Sequence, residues 1–110
     1  MANPWAGEVA LVIGGQRRVL RLTLGALAEL EAGLKAGSIV ELVERFETGK
    51  VSARDVLAVV VAGLRGGGWQ GRAEELAQAE IEGGFMAAAQ AAGLALVRAF
   101  ELPGQGDAEV

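Results

Sequence analysis

Apolar positions in the first quarter of the chain alternate. Val9, Leu11 and Ile13 are interleaved with Glu8, Ala10 and Val12, and after Gly14-Gly15-Gln16 a second alternation sets Leu20, Leu22 and Leu24 opposite Val19, Arg21 and Thr23. A period of two on both sides of a glycine pair predicts a β-hairpin. Two strands alone are marginal in water, so the hairpin must lie on other elements or offer its edges to another chain.

The period then lengthens to that of helices. Leu27, Leu30 and Leu34 form one stripe, with Thr23 as N-cap and Gly37 as the stop. Ser38 followed by Glu41 is a capping-box pattern that opens a second helix, whose face of Ile39, Leu42, Val43 and Phe46 closes at Gly49. Ser52 with Asp55 opens a third, in which Val56, Leu57, Val59, Val60, Val61 and Leu64 are apolar almost all round, as suits a central helix. A weaker acidic segment from Ala73 to Glu82, with Leu76, Ala77 and Ile81 apolar, reads as a fourth. In the last helix Phe85, Met86, Ala89, Gly93, Leu96, Val97 and Phe100 follow a 3-4 spacing, and Ala88, Ala89, Ala92 and Gly93 permit close approach, so this helix is expected to dock on the third.

Strand, strand, then four to five helices, without βαβ alternation or internal repeat, makes the class α+β: an N-terminal two-stranded β-hairpin followed by a compact bundle of four to five α-helices. The length of 110 residues suits one domain, with a folded body at about 8–101, a mobile arm at 1–7 and a breaker-rich tail at 102–110.

Composition sharpens this picture. With 21 Ala and 17 Gly, much of the 52% hydrophobic content is small in volume, so the core should be thin and closely packed. The chain has no Cys, His or Tyr, which removes thiolate and imidazole nucleophiles, the usual general base at pH 7 and most soft metal ligands. No disulfide framework is available, Met1 to Trp5 lacks a signal-like region, and the longest apolar run, Ala58 to Leu64, is far short of a membrane span. A cytoplasmic location in the producing cell is expected, with no membrane partner.

Net charge is −4, but residues 1–72 hold nine basic against seven acidic residues, while 73–110 hold Arg98 against seven acids. The acidic balance disfavours direct nucleic-acid binding.

The run Gly66-Gly67-Gly68-Trp69-Gln70-Gly71 satisfies G-x-G-x-x-G, yet a helix precedes it where a nucleotide fold needs a strand, and no Lys-Ser or Lys-Thr follows. It reads as an interhelical connection, with a hinge or docking loop as the functional alternative. Trp69 within it is either an exposed anchor for a partner or a lid on the thin core. Thr23, Ser38, Thr48 and Ser52 sit at helix ends, where capping explains them, and no histidine is present to activate a hydroxyl. Glu74, Glu75, Glu80 and Glu82 lack the order of a calcium loop and read as a solvated face. Arg17, Arg18 and Arg21 fit either an acidic partner or protection of a strand edge. No catalytic, cofactor or metal site is expected, and the chain is expected not to be an enzyme. The candidate partner-binding residues are Arg17, Arg18, Arg21, Trp69, Glu74 and Glu75.

The segments Gly7-Glu8-Val9 and Arg21-Leu22-Thr23-Leu24-Gly25-Ala26-Leu27-Ala28-Glu29-Leu30-Glu31 resemble the start of a family encoded in the tail modules of gene transfer agents and siphovirus-like prophages. The likeness continues through Gly37-Ser38, Phe46, Ser52-Ala53-Arg54-Asp55, Ala62 to Gly68 and Glu82-Gly83-Gly84, over roughly residues 1–100. That family is described both as a tail tube protein and as a tail-assembly chaperone, so the resemblance implies a role in building a DNA-delivering tail and no catalytic residues.

The leading expectation is a chaperone that covers aggregation-prone helical segments of the tape-measure protein. The alternative is a structural component of the tail tube or tail terminus, retained in the phage-like particle, whose hairpin adds to neighbouring subunits by strand pairing. Tail proteins are therefore the expected partners, a homo-oligomer is admitted, and a small DNA-binding regulator is the outlying reading.

Overall fold

The computed structural model describes residues 7–33 and 38–100. The expected arm and tail, together with Leu34 and Gly37, lie largely or wholly outside the described residues. In order come β1 (Glu8–Ile13), β2 (Gln16–Arg21), α1 (Leu24–Ala32), α2 (Ile39–Thr48), α3 (Ala53–Gly66), α4 (Ala73–Ala77) and α5 (Gly84–Phe100). This is the expected α+β arrangement.

The strands pair antiparallel, from Glu8↔Arg21 to Ile13↔Gln16. The linking residues Gly14 and Gly15 both have positive φ, 59° and 80°, as a two-residue turn that matches strand twist requires. Val9, Leu11, Ile13, Leu20 and Leu22 are buried on one side against α3 and α5. Leu24 departs from the expected alternation. It opens α1 and is 84% exposed, because Thr23 Oγ1 accepts the Ala26 N–H and turns the chain into the helix one residue earlier.

Helix α1 stops at Ala32 with Gly33 as its C-cap, short of the expected stop at Gly37. Helices α2 and α3 start and end where capping chemistry places them. Ser38 Oγ accepts from Glu41 N, and Ser52 with Asp55 makes the full reciprocal box. Helix α3 is the centre of the fold: Val56 and Val59 to Leu64 are all buried, and β2, α1, α4 and α5 pack around it.

The expected helix from Ala73 to Glu82 is only α4, five residues long. Glu80 to Glu82 leave it to run beside β1, where Gly14 N donates to Glu80 O (2.7 Å) and Glu82 N to Val12 O (3.0 Å), around an antiparallel bridge between Ile13 and Ile81. Burying Ile81 against the strand competes with helix in a segment whose helical stripe is weak.

Most of both hairpin edges is covered in this way. On β1 the Arg98 guanidinium takes the Glu8 carbonyl at the other end (2.5 Å), leaving Ala10 between. On β2 the last turn of α3 lies so close that a Cβ on Gly66 or Gly67 would overlap the carbonyl oxygen of Arg21 or Val19. The glycine run therefore serves a backbone-to-backbone contact that covers the strand edge.

Candidate partner-binding surface

Helix α5 has two apolar stripes. Ala88, Ala91, Ala92, Ala95 and Leu96 are buried against the rest of the core, whereas Phe85, Met86, Val97 and Phe100 are 48%, 65%, 45% and 47% exposed. The last helix docks on α3 as expected, and it does so through its small residues and Leu96, while Phe85, Met86, Val97 and Phe100 of the 3-4 set stay outside that seam. Alanine brings the helix axes close together, and in a thin core the bulky stripe a third of a turn away finds no room.

The exposed stripe faces the apolar side of α2. Between the two helices runs an open groove of about 520 Å³, with Val43, Phe46 and Val51 on one side and Met86, Ala89 and Val97 on the other. Phe46 leans over Gly93, where an added Cβ would meet its Cδ2 at 3.5 Å. Among the described residues that line the groove, Glu47 is the one that carries a charge.

The α2 wall is held by a two-pronged ion pair to the start of α3, from Arg45 Nε to Asp55 Oδ2 (3.1 Å) and from Arg45 Nη2 to Asp55 Oδ1 (3.2 Å). Partial burial by itself pushes the Asp55 carboxyl up. The hydrogen bonds and charge of Arg45, with the hydrogen bonds from the Ser52 backbone and side chain, outweigh it and hold the carboxyl below its ordinary value. The pair therefore stays ionised at neutral pH and fixes the α2 side of the groove.

The six residues singled out in the sequence are divided by the fold. Arg17 and Arg21 are exposed on the outer face of the hairpin, whereas strand alternation turns Arg18 to the opposite face, where its Nη2 donates to Gln16 Oε1 (2.7 Å). Arg18, Trp69 and Glu75 line a shared small cavity of about 240 Å³ beside Leu64 and Leu76. Trp69 is half-buried against the core, and its ring lies over Gly71. Glu75 Oε1 accepts the Arg72 N–H at the start of α4. Glu74 is exposed on α4, apart from the others. Among the described residues, no group of three or more His, Cys, Asp or Glu is placed to hold a metal ion.

Val43 and Phe46 on α2, and Phe85, Met86, Ala89, Gly93 and Val97 on α5, are legible in the sequence as apolar stripes of two helices, but not as the two sides of one groove. The available signal was volume: an alanine stripe and a Phe/Met/Val stripe share α5, and only one can face α3.

No helix among the described residues is long and apolar enough to cross a membrane. A family model described as phage tail tube protein, GTA-gp10, matches residues 6–102. No curated protein and no solved structure matches the chain.

Proposed function

The chain belongs to the GTA-gp10 family of phage tail tube proteins, and from that premise we propose that it acts without catalysis, as a tail-assembly chaperone that binds an apolar segment of the tape-measure protein. The observation that carries this reading is the open groove between α2 and α5. It leaves Phe85, Met86, Leu94 and Val97 exposed side by side, a contiguous apolar surface of the kind that marks interaction sites on soluble proteins. A protein that meets water on this face before assembly and covers a partner's apolar stripe during it would use such a surface. Glu47 on the rim favours a partner with a basic flank.

A structural role in the tail tube is the second reading, and the family's own description favours it. The strand-pairing route to that role lacks support, since α3, Arg98 and residues 80–82 occupy most of the hairpin's edges. A tube subunit built on this fold would have to join its neighbours through helices.

Quantitative mass spectrometry of purified particles beside the producing-cell lysate separates the two. A chaperone is abundant in the lysate and depleted from particles, whereas stoichiometric presence in particles overturns the chaperone reading.

A further inference from the structure

We infer that the α2–α5 groove takes a single helix from another polypeptide, laid along α5 for about four turns with its apolar stripe inward and a cationic residue beside Glu47. This rests on the chaperone reading and specifies the shape of its partner. Three observations lead to it.

The first concerns backbone chemistry. The groove runs between two α-helices, α2 with the turn that follows it at Gly49 and Val51 on one side and α5 on the other, and no β-strand lines it, so it has no ladder on which an extended peptide could satisfy its own polar groups. A helical guest brings its hydrogen bonds with it. From Phe85 to Phe100 the exposed stripe of α5 is about 22 Å long, which sets the length of guest it can cover.

The second is area. A two-fold pairing through this patch alone would rest on a few partly exposed side chains, Phe85, Met86, Leu94 and Val97 with Val43 and Phe46, well short of the roughly 800 Å² per partner found in stable complexes. A two-fold interface must also be self-complementary, and a groove set against a groove leaves its floor unfilled. The same area suits one helix held transiently.

The third is charge. Among the described residues the groove is lined by one carboxylate and no cation, so a guest with Lys or Arg flanking its stripe gains a favourable contact that a purely apolar or acidic helix does not.

The test uses the full chain and overlapping 25-residue peptides that span the tape-measure protein encoded with it. At least one peptide with an apolar stripe is expected to bind, to gain helical circular dichroism on binding, and to shift the methyl resonances of Val43, Met86, Ala89 and Val97. The paired change Met86→Glu with Val97→Lys places charges at exposed positions, keeps good helix formers and should lower that affinity at least tenfold. Glu47→Lys should weaken a basic-flanked peptide and spare a neutral one. Binding with shifts elsewhere, equal binding of a proline-interrupted peptide, no binding of any peptide, or a dimer in sedimentation that the paired change dissolves would each overturn the inference. Capture of tape-measure peptides at another surface would leave the chaperone reading standing, while stoichiometric presence in particles would remove that reading and leave the groove's helix preference to be judged on the peptide data.

Discussion

Replacing Gly66 by Ala puts a methyl where the main chain of β2 already stands. Its Cβ would lie 1.8 Å from the Arg21 carbonyl oxygen, whereas real Cβ atoms essentially never approach within 3.0 Å of a neighbour. The obstructing atom is strand backbone, so no side-chain rotation relieves the overlap, and the end of α3 must retreat by about 1 Å or more. Overpacking of this kind costs about 3 kcal/mol at its upper end, and the better helix propensity of Ala returns at most about 1 kcal/mol. The expected net loss is about 2 kcal/mol, a drop in melting temperature on the order of 10 °C for a chain of this length. Urea titration followed by far-ultraviolet circular dichroism measures it. Gly25→Ala is the control: the site lies in the first turn of α1 with only Thr23 Oγ1 nearby, at 3.9 Å, so this change should stabilise by about 0.5 kcal/mol. If Gly66→Ala proved as stable as the parent, the contact between α3 and the β2 edge, and the explanation of the glycine run with it, would be wrong.

Three further outcomes follow from the packing and the charges. Ala92→Leu adds bulk at a fully buried position in the seam of α5 and should cost about 1–3 kcal/mol in the same titration. Because the Asp55 carboxyl is held below its ordinary value, its contribution is present above the unfolded-state pKa and lost as pH falls through the folded one. Melting temperature should therefore fall more steeply on acidification below about pH 4 in the parent than in Asp55→Asn, which lacks the titrating carboxyl. Trp69→Ala strips a half-buried ring from the edge of the core and should lower stability by about 2 kcal/mol. A selective loss of partner capture with stability unchanged would restore Trp69 as an anchor.

The elements that the sequence makes legible are those whose signals are local. Thr23, Ser38 and Ser52 cap helices through their own hydroxyls, and the Gly14-Gly15 turn carries its conformational requirement in its two residues. What stays hidden depends on partners distant in the chain. The 73–82 segment shortens to α4 because Ile81 pairs with Ile13, far away in sequence. Gly66 and Gly67 look like a loop until β2 is seen against them. The groove was the hardest feature to foresee, because exposed Met86 and Val97 carry the same letters as a core, and only the competing alanine stripe, once docked, reveals which side of α5 faces water. The basic and acidic candidates drew notice because charge is conspicuous in a sequence, yet Arg17 and Arg21 end on a different face from Arg18, Trp69 and Glu75.

On the function proposed above, the protein works through the apolar surface between α2 and α5. The most direct measurement is the soluble yield of the tape-measure protein when co-expressed with the parent chain or with the Met86→Glu, Val97→Lys form, after circular dichroism has shown both to be folded. The parent should keep the tape-measure protein in solution and co-purify with it, while the altered form should leave it in the pellet. Equal soluble yield with both forms would contradict the claim.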